Sequence, residues 1–183
     1  MAVIKRYPLG DDQPPVSPKH GGIVKKLGAP PSSPGRRNPA PLSPNVSQSK
    51  RLTINSDGAS IPNPGPAGIG AVLRDDQGKI VAEISRYIGP ATNNKAEFLA
   101  LIAALEEALE LGAERVAINS DSELIVRQIE GKYRSKAMKP FFEQVVSLLG
   151  EFKSYTVQHI PREQNKEADA LSRRALLRVI KDR

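Results

Sequence analysis

The stretch that decides the fold is L-T-I-N-S-D-G-A-S at residues 52–60, where an apolar, β-branched run ends at an Asp-Gly pair. A second run of the same kind, V-A-I-N-S-D-S-E at residues 116–123, also ends at an acidic residue. Alternating apolar residues predict half-buried strands, and Asp57 and Asp121 stand where these strands end. We therefore expect the two carboxylates to lie beside each other at one edge of a sheet.

Two further acidic residues lie on the apolar side of predicted helices. Counting by four from Glu97, in T-N-N-K-A-E, reaches Leu101, so this carboxylate shares the stripe that the helix buries. Asp169, in N-K-E-A-D-A-L-S, shares a helix face with Asn165 and Ser172 at the border of an apolar row. A buried carboxylate is unfavourable unless it takes up a proton or meets a cation.

Four converging carboxylates predict a hard divalent cation. The chain has no Cys and only two His, so oxygen ligands favour Mg²⁺, with Mn²⁺ as the alternative, over zinc. Two ions about 4 Å apart would clamp the attacking water and the leaving oxygen of a phosphoryl displacement. Each acid alone has a simpler interpretation as a turn residue, a helix cap or a solvated side chain. Those interpretations leave the ordered set unexplained.

From Leu52 to about Leu176 the chain resembles ribonuclease H of type 1, the endonuclease that cuts the RNA strand of an RNA/DNA hybrid. The spacings of 40, 24 and 48 residues fit that family's four metal-binding carboxylates, here Asp57, Glu97, Asp121 and Asp169. The motifs D-G-A-S-I-P-N-P-G-P-A-G-I-G, T-N-N-K-A-E, D-S-E-L-I-V and H-I-P-R-E-Q-N-K-E-A-D fit as well. The resemblance implies a two-metal, in-line phosphodiester hydrolase that acts on RNA/DNA hybrids.

The resemblance also implies a set of residues that contact the substrate. They are Gly58, Ser60, Asn63, Thr92, Asn93, Asn94 and Glu123. Asn93 and Asn94 match an Asn pair that approaches the 2′-hydroxyl side of the RNA strand, and amide groups both donate and accept, as reading that hydroxyl requires. Thr92 and Asn63 match positions that hold a phosphate of the DNA strand. Glu123 departs from the Gln often found at its position.

Two basic residues precede Asp169 by ten and seven positions. In many relatives a His at the place of His159 helps proton transfer or product release, and in others an Arg takes part instead, here Arg162. The resemblance therefore makes both residues candidate catalytic groups. We favour Arg162, because the alternation Tyr155, Val157, His159 places His159 on one face of a predicted strand, where a partly buried, hydrogen-bonded His is the alternative. Arg162 follows Pro161 in the segment that leads to Asp169.

The pattern after residue 50 predicts one α/β domain over residues 51–183. Strands are expected at about 51–57, 68–75, 79–88, 115–120 and 154–160, and helices at about 94–111, 122–130, 139–151 and 164–179. The resemblance implies the ribonuclease H-like fold, a five-stranded mixed sheet of order 3-2-1-4-5 flanked by helices. Its first, fourth and fifth strands are parallel, and its carboxylates gather at one end.

Residues 1–50 differ in composition from the rest of the chain. They hold ten of the sixteen prolines and eight Lys or Arg against two Asp, and they show no helical or strand periodicity. Such a segment buries too little apolar surface to offset its ordering entropy. We therefore predict a disordered, Pro-rich basic tail.

Composition limits the remaining function classes. The 183 residues contain no apolar run near 18 residues and no signal-peptide core after Met1, which predicts a cytoplasmic protein without a membrane segment. We also expect a monomer. Two alternatives to a hybrid-specific enzyme stay open: a nuclease of the same fold with broader substrates, such as double-stranded RNA or RNA-DNA junctions, and a catalytically silent nucleic-acid-binding module.

Overall fold

The architecture is one mixed sheet with helices packed on its faces. The computed structural model describes the backbone of residues 5–8 and 50–181 and the side chains of residues 50–177. Its strands are β1 Lys5–Pro8, β2 Arg51–Ser60, β3 Gly65–Arg74, β4 Ile80–Ala91, β5 Arg115–Ser120 and β6 Ser154–His159. Its helices are α1 Asn93–Glu110, α2 Glu123–Ile129, α3 Lys139–Gly150 and α4 Lys166–Lys181, and a 3₁₀ turn at Arg162–Gln164 precedes α4.

The strand order is β1-β6-β5-β2-β3-β4. Strands β2, β5 and β6 are parallel neighbours, whereas β3 pairs antiparallel with β2 and β4 pairs antiparallel with β3. Counted from the first strand after residue 50, this is the order 3-2-1-4-5. The predicted ribonuclease H-like sheet, with its first, fourth and fifth strands parallel, is therefore confirmed.

The sixth strand, β1, was not predicted. It lies inside the segment expected to be disordered and pairs antiparallel with β6, Lys5 opposite Val157 and Pro8 opposite Ser154. The outer edge of β6 offers unpaired backbone groups to such an added strand, and the disordered tail stays a prediction. The other residues predicted to form the tail, apart from Lys50, lie outside the described residues.

Helix α1 lies directly on β2, at a position where only glycine fits. A Cβ atom on Gly58 would lie 2.2 Å from both the carbonyl carbon of Ala96 and the backbone nitrogen of Glu97. The missing side chain therefore lets the first turns of α1 rest on the strand backbone. This close contact holds the backbone of Glu97 directly against the strand that carries Asp57.

Helix α4 lies on the opposite face of the sheet, again against glycine. Gly70 pairs with Asp57, and a Cβ atom on Gly70 would lie 2.2 Å from the carbonyl oxygen of Ala168 and 2.4 Å from the nitrogen of Ser172. Because successive strand residues point to opposite faces, Asp57 faces α4 whereas Gly58 faces α1. The two helices approach the same point of the sheet from its two sides.

A large apolar cluster holds this arrangement together. Phe98 and Leu101 of α1 are fully buried with Leu52 and Ile54 of β2, and Phe152 joins the same cluster. This cluster fixes α1 on β2 and β3 and so sets the position of the helix that carries Glu97 relative to the strand that carries Asp57. No helix in the part of the chain from residue 50 to 181 is long and apolar enough to cross a bilayer.

Candidate active site

Asp57 and Asp121 lie just beyond the point where the pairing of the parallel strands β2 and β5 stops, although β2, predicted to end at Asp57, continues to Ser60. β2 and β5 pair Asn55 with Asn119, and the two acids follow these residues by two positions. The Asn119 amide donates to Asn55 Oδ1 at 3.3 Å, which ties the strand ends together. Asp57 is buried, with 8% of its surface exposed, and Asp121 is half-buried. The predicted juxtaposition of these two carboxylates is thus present.

Glu97 reaches the same place from α1. Its side chain is half-buried and accepts a hydrogen bond from the Ser122 hydroxyl, Oγ to Oε2, at 2.5 Å. Ser122 directly follows Asp121, so this bond joins the start of α1 to the end of β5. Ser122 was not predicted as a site residue. Its position directly after Asp121 is the feature of the sequence that could have indicated its place in the site.

Two donors, Ser172 of α4 and Asn165 directly before that helix, bind Asp57 and Asp121. The Ser172 hydroxyl donates to Asp57 Oδ2 at 2.6 Å. The Asn165 amide donates to Asp121 Oδ1 at 2.7 Å and to the carbonyl oxygen of Ser56 at 2.9 Å. Asn165 and Ser172 are themselves buried. Their spacing of seven residues placed them on the face of Asp169, but the sequence did not reveal what they bind.

Asp169 completes the set and is held by two guanidinium groups. Arg162 Nη2 donates to Asp169 Oδ1 at 2.7 Å, and Arg173 Nε donates to Asp169 Oδ2 at 2.9 Å. The first of these bonds places Arg162, in the segment before α4, in direct contact with the carboxylate cluster. The neighbouring Asp169 raises the pKa of Arg162, so this side chain stays charged.

Electrostatics link the four acids. Burial is the main reason that the pKa of Asp57 is raised, and the hydrogen bond from Ser172 opposes it. The charges of Asp121 and Asp169 raise the pKa of Asp57 further. Burial also raises the pKa of Glu97 to about 7, and the charges of Asp57 and Asp121 contribute in the same direction. The carboxylates therefore repel one another in a partly dry environment.

The four carboxylates have the chemistry of divalent-cation ligands, but they do not form a ready-made coordination site. Within residues 5–8 and 50–181, no group of three His, Asp or Glu side chains is arranged to ligate one ion as it stands. Each carboxylate accepts hydrogen bonds from protein donors instead; the donors are Ser172, Ser122, Asn165, Arg162 and Arg173. Oxygen-only ligands and strong mutual repulsion are nevertheless what a hard cation requires and relieves.

His159 lies close to the site but does not contact a carboxylate. It is the last residue of β6 and is exposed, and its Nε2 is 3.3 Å from the backbone oxygen of Asp121. His159 thus belongs to the strand expected at about 154–160, but its side chain is exposed rather than partly buried. Arg162, by contrast, forms an ion pair with Asp169 itself.

The residues predicted to contact substrate gather around the start of α1. Asn93 Oδ1 accepts from the backbone nitrogen of Ser60 at 2.7 Å, and Asn63 Oδ1 accepts from the backbone nitrogen of Asn93 at 3.0 Å. Thr92 caps α1 by accepting from the Lys95 nitrogen at 3.2 Å. These side chains therefore shape the loop after β2 and the helix start as one hydrogen-bonded unit.

Two of the predicted contact residues stand apart from that unit. Asn94 is exposed in the first turn of α1. Glu123 is exposed at the start of α2 and forms an i,i+4 ion pair with Arg127 at 2.6 Å. The ion pair gives Glu123 a role on the helix surface that the sequence resemblance did not indicate.

Comparison with known proteins gives a consistent assignment. The family model described as "Reverse transcriptase-like" matches residues 55–175. Ribonuclease HI of Halobacterium salinarum is 43% identical over 128 residues, which are 69% of this chain and 64% of that protein. A bifunctional protein of Mycobacterium tuberculosis is 39% identical over 129 residues, which are 69% of this chain and only 35% of that protein.

Solved structures agree with the sequence comparison. The N-terminal RNase H domain from Mycobacterium tuberculosis superposes with a TM-score of 0.67 at 38% identity, covering 69% of this chain and 98% of that one. LC11-RNase H1, solved in complex with an RNA/DNA hybrid, gives a TM-score of 0.67 at 40% identity, covering 70% and 99%. The chain belongs to the ribonuclease H family, whose members generally use divalent metal ions.

Proposed function

We propose that this protein is a metal-dependent endonuclease that hydrolyses the RNA strand of RNA/DNA hybrids. The observation that carries the proposal is the gathering of Asp57, Glu97, Asp121 and Asp169 around one end of the sheet. A relative 40% identical to this chain has been solved with an RNA/DNA hybrid, which supports the same substrate class here. All four carboxylates come from one chain, so we expect the protein to act as a monomer.

The proposed cofactor is a pair of Mg²⁺ ions, with Mn²⁺ as the alternative. Asp57, Glu97, Asp121 and Asp169 would hold them. Bound cations of this kind activate a water molecule and neutralise charge on the phosphate oxygens. The protein's own contribution is to keep four acids in one place despite their repulsion, and the donors from α4 and from Ser122 do this.

The substrate face is proposed to lie along the loop after β2 and the first turn of α1. The bonds among Ser60, Asn63 and Asn93 fix this loop, and Gly58 keeps it close to the carboxylates. Polar side chains held in this way suit contacts with a phosphate, which positions the duplex, and with a 2′-hydroxyl, which distinguishes the RNA strand without reading sequence.

Replacing Asn94 by Ala should weaken cleavage of the hybrid. Asn94 is exposed at the helix start, so its amide is available to a 2′-hydroxyl, and loss of such a contact costs about 1 to 3 kcal/mol. The measurement is single-turnover cleavage together with hybrid affinity. Gln77→Ala, which removes an exposed amide from the turn between β3 and β4, is the matched control. Unchanged values for Asn94→Ala would limit this residue to starting the helix.

A catalytic role for Arg162 and a catalytic role for His159 predict different dependences of turnover on pH. Arg162 forms an ion pair with Asp169 and stays charged, so Arg162→Ala should lower turnover about 10- to 100-fold at every pH tested. His159→Ala should lower turnover less, because His159 faces a backbone oxygen. Single-turnover rates between about pH 5.5 and 9 separate the two roles, because a proton-shuttling imidazole would make turnover depend on pH, whereas a guanidinium stays charged throughout. Full activity in Arg162→Ala with collapse in His159→Ala would reverse the assignment.

The function is tested with a panel of duplexes of identical sequence. Purified protein is incubated with an RNA/DNA hybrid, duplex RNA and duplex DNA, each with Mg²⁺ or with chelator. We expect cleavage of the hybrid alone and only with Mg²⁺. Equal cleavage of duplex RNA would favour the broader nuclease. Binding of the hybrid without cleavage, in Mg²⁺ and in Mn²⁺ alike, would favour the silent binding module.

A further inference from the structure

The hydroxyl group of Ser172 is buried and forms a hydrogen bond with Asp57, the most buried acid of the site. Ser172 has none of its surface exposed and Asp57 only 8%. The distance of 2.6 Å between Ser172 Oγ and Asp57 Oδ2 falls in the range of a strong hydrogen bond to an ionised carboxylate. Because both side chains are buried, bulk water cannot readily take the place of this donor.

The backbone around Ser172 is fixed by close contact with β3. Cβ atoms on Gly70 and Gly68 would lie 2.4 Å from the Ser172 nitrogen and 2.5 Å from its carbonyl oxygen, respectively. Gly70 is also the residue that pairs with Asp57 across the sheet. The Ser172 hydroxyl is therefore carried by helix backbone that packs tightly against β3, beside the Asp57 carboxylate. Its position does not depend on a loop.

The hydroxyl hydrogen has a second acceptor. Ser172 Oγ lies 2.9 Å from the backbone oxygen of Asp169, three residues earlier in α4, an arrangement common for Ser within helices. A hydroxyl donates only one hydrogen. The shorter distance and the charge of the acceptor favour the bond to Asp57, because hydrogen bonds to charged groups are the stronger ones.

We propose that Ser172 is a positioning residue for the cation site: its hydroxyl fixes the plane of the Asp57 carboxylate in the orientation that a divalent cation needs. The proposal rests on the proposed function, since it assumes that Asp57 is a ligand. A bond to Oδ2 still leaves lone pairs on both oxygens of the carboxylate for an ion. Without that bond, cation binding must itself order the side chain, and loss of such a partner typically weakens metal affinity about 10- to 100-fold.

The test is calorimetric titration of the substrate-free protein with Mn²⁺ and, separately, Mg²⁺. Ser172→Ala should raise the Kd for the cation about 10-fold or more. Ser172→Cys keeps a side chain of similar size with only a weak donor, so it should raise the Kd as well and supplies a second variant if Ala impairs folding.

Ser85→Ala is the matched control. Ser85 also packs against α4, where its hydroxyl donates to the backbone oxygen of Leu171 at 2.8 Å and contacts no carboxylate. It loses the same atom beside the same helix, so its Kd should stay within about twofold of wild type.

The outcomes separate this inference from the proposed function. If the wild-type protein binds neither cation, the proposed function fails. If it binds, and Ser172→Ala and Ser172→Cys bind with unchanged or tighter affinity, the positioning role is overturned and the hydroxyl serves the helix alone. A weakened Kd in both Ser172 variants, with Ser85→Ala near wild type, supports the inference.

Discussion

Asp57→Asn should remove hybrid cleavage while leaving the protein folded. Asp57 is the most buried of the four acids, with 8% of its surface exposed, and it lies where β2 meets both α1 and α4. Asn keeps the shape and can still accept the hydrogen bond from Ser172, but it lacks the charge that binds a cation. The loss should exceed the roughly 10- to 100-fold expected for a mere partner of a metal ligand.

The measurement is single-turnover cleavage of a labelled hybrid in Mg²⁺, with circular dichroism as the check on folding. Asp76→Asn provides the control, because Asp76 is an exposed acid in the turn between β3 and β4 and its loss changes net charge by the same amount. Wild-type cleavage by a folded Asp57→Asn protein would remove the carboxylate cluster from the mechanism. An equal loss in both variants would point to a general charge effect.

Glu97→Gln should stabilise the metal-free protein at alkaline pH. The pKa of Glu97 is raised from 4.5 to about 7 in the folded protein, mainly by burial. The folded state therefore binds this proton more tightly than the unfolded state, and stability falls as pH rises from 4.5 to about 7. Above that range the ionised group disfavours folding by up to about 3 kcal/mol. Gln carries no charge and escapes this penalty.

Urea unfolding in chelator at about pH 5 and pH 8 measures the effect. We expect similar stabilities at the lower pH and a more stable Glu97→Gln protein at the higher pH, whereas Mg²⁺ should stabilise wild type more than the variant. Glu106→Gln is the control, because it makes the same substitution at an exposed position of α1. A Glu97→Gln protein less stable than wild type at pH 8 without metal would contradict the penalty assigned to the buried, ionised Glu97.

The sequence was sufficient to predict the parts of the fold that follow from local pattern. Alternating apolar residues located β2 and β5, and the motifs around Asp57 and Asp121 placed their strand ends together, because parallel neighbours present the same ends at one edge. The apolar stripe through Leu101 showed correctly that Glu97 lies on the inner side of α1. The strand order after residue 50 came from the family resemblance.

What the sequence did not reveal depends on contacts between distant segments. The bonds from Ser172 to Asp57 and from Ser122 to Glu97 exist because glycines let two helices approach the sheet closely, and no local pattern encodes such distances. Strand β1 was missed for a related reason. Four residues ending in Pro8 carry no strand periodicity, and their pairing is set by the open edge of β6.

The central claim is that the four carboxylates cut one strand of a hybrid with the help of a cation. It is tested most directly by labelling the RNA and the DNA strand of the same hybrid separately and following both during a Mg²⁺ titration. We predict fragments from the RNA strand only, absent in chelator and absent with Asp57→Asn at every Mg²⁺ concentration. An RNA strand that stays intact in saturating Mg²⁺ and in Mn²⁺, or fragments that appear equally from both strands, would contradict it.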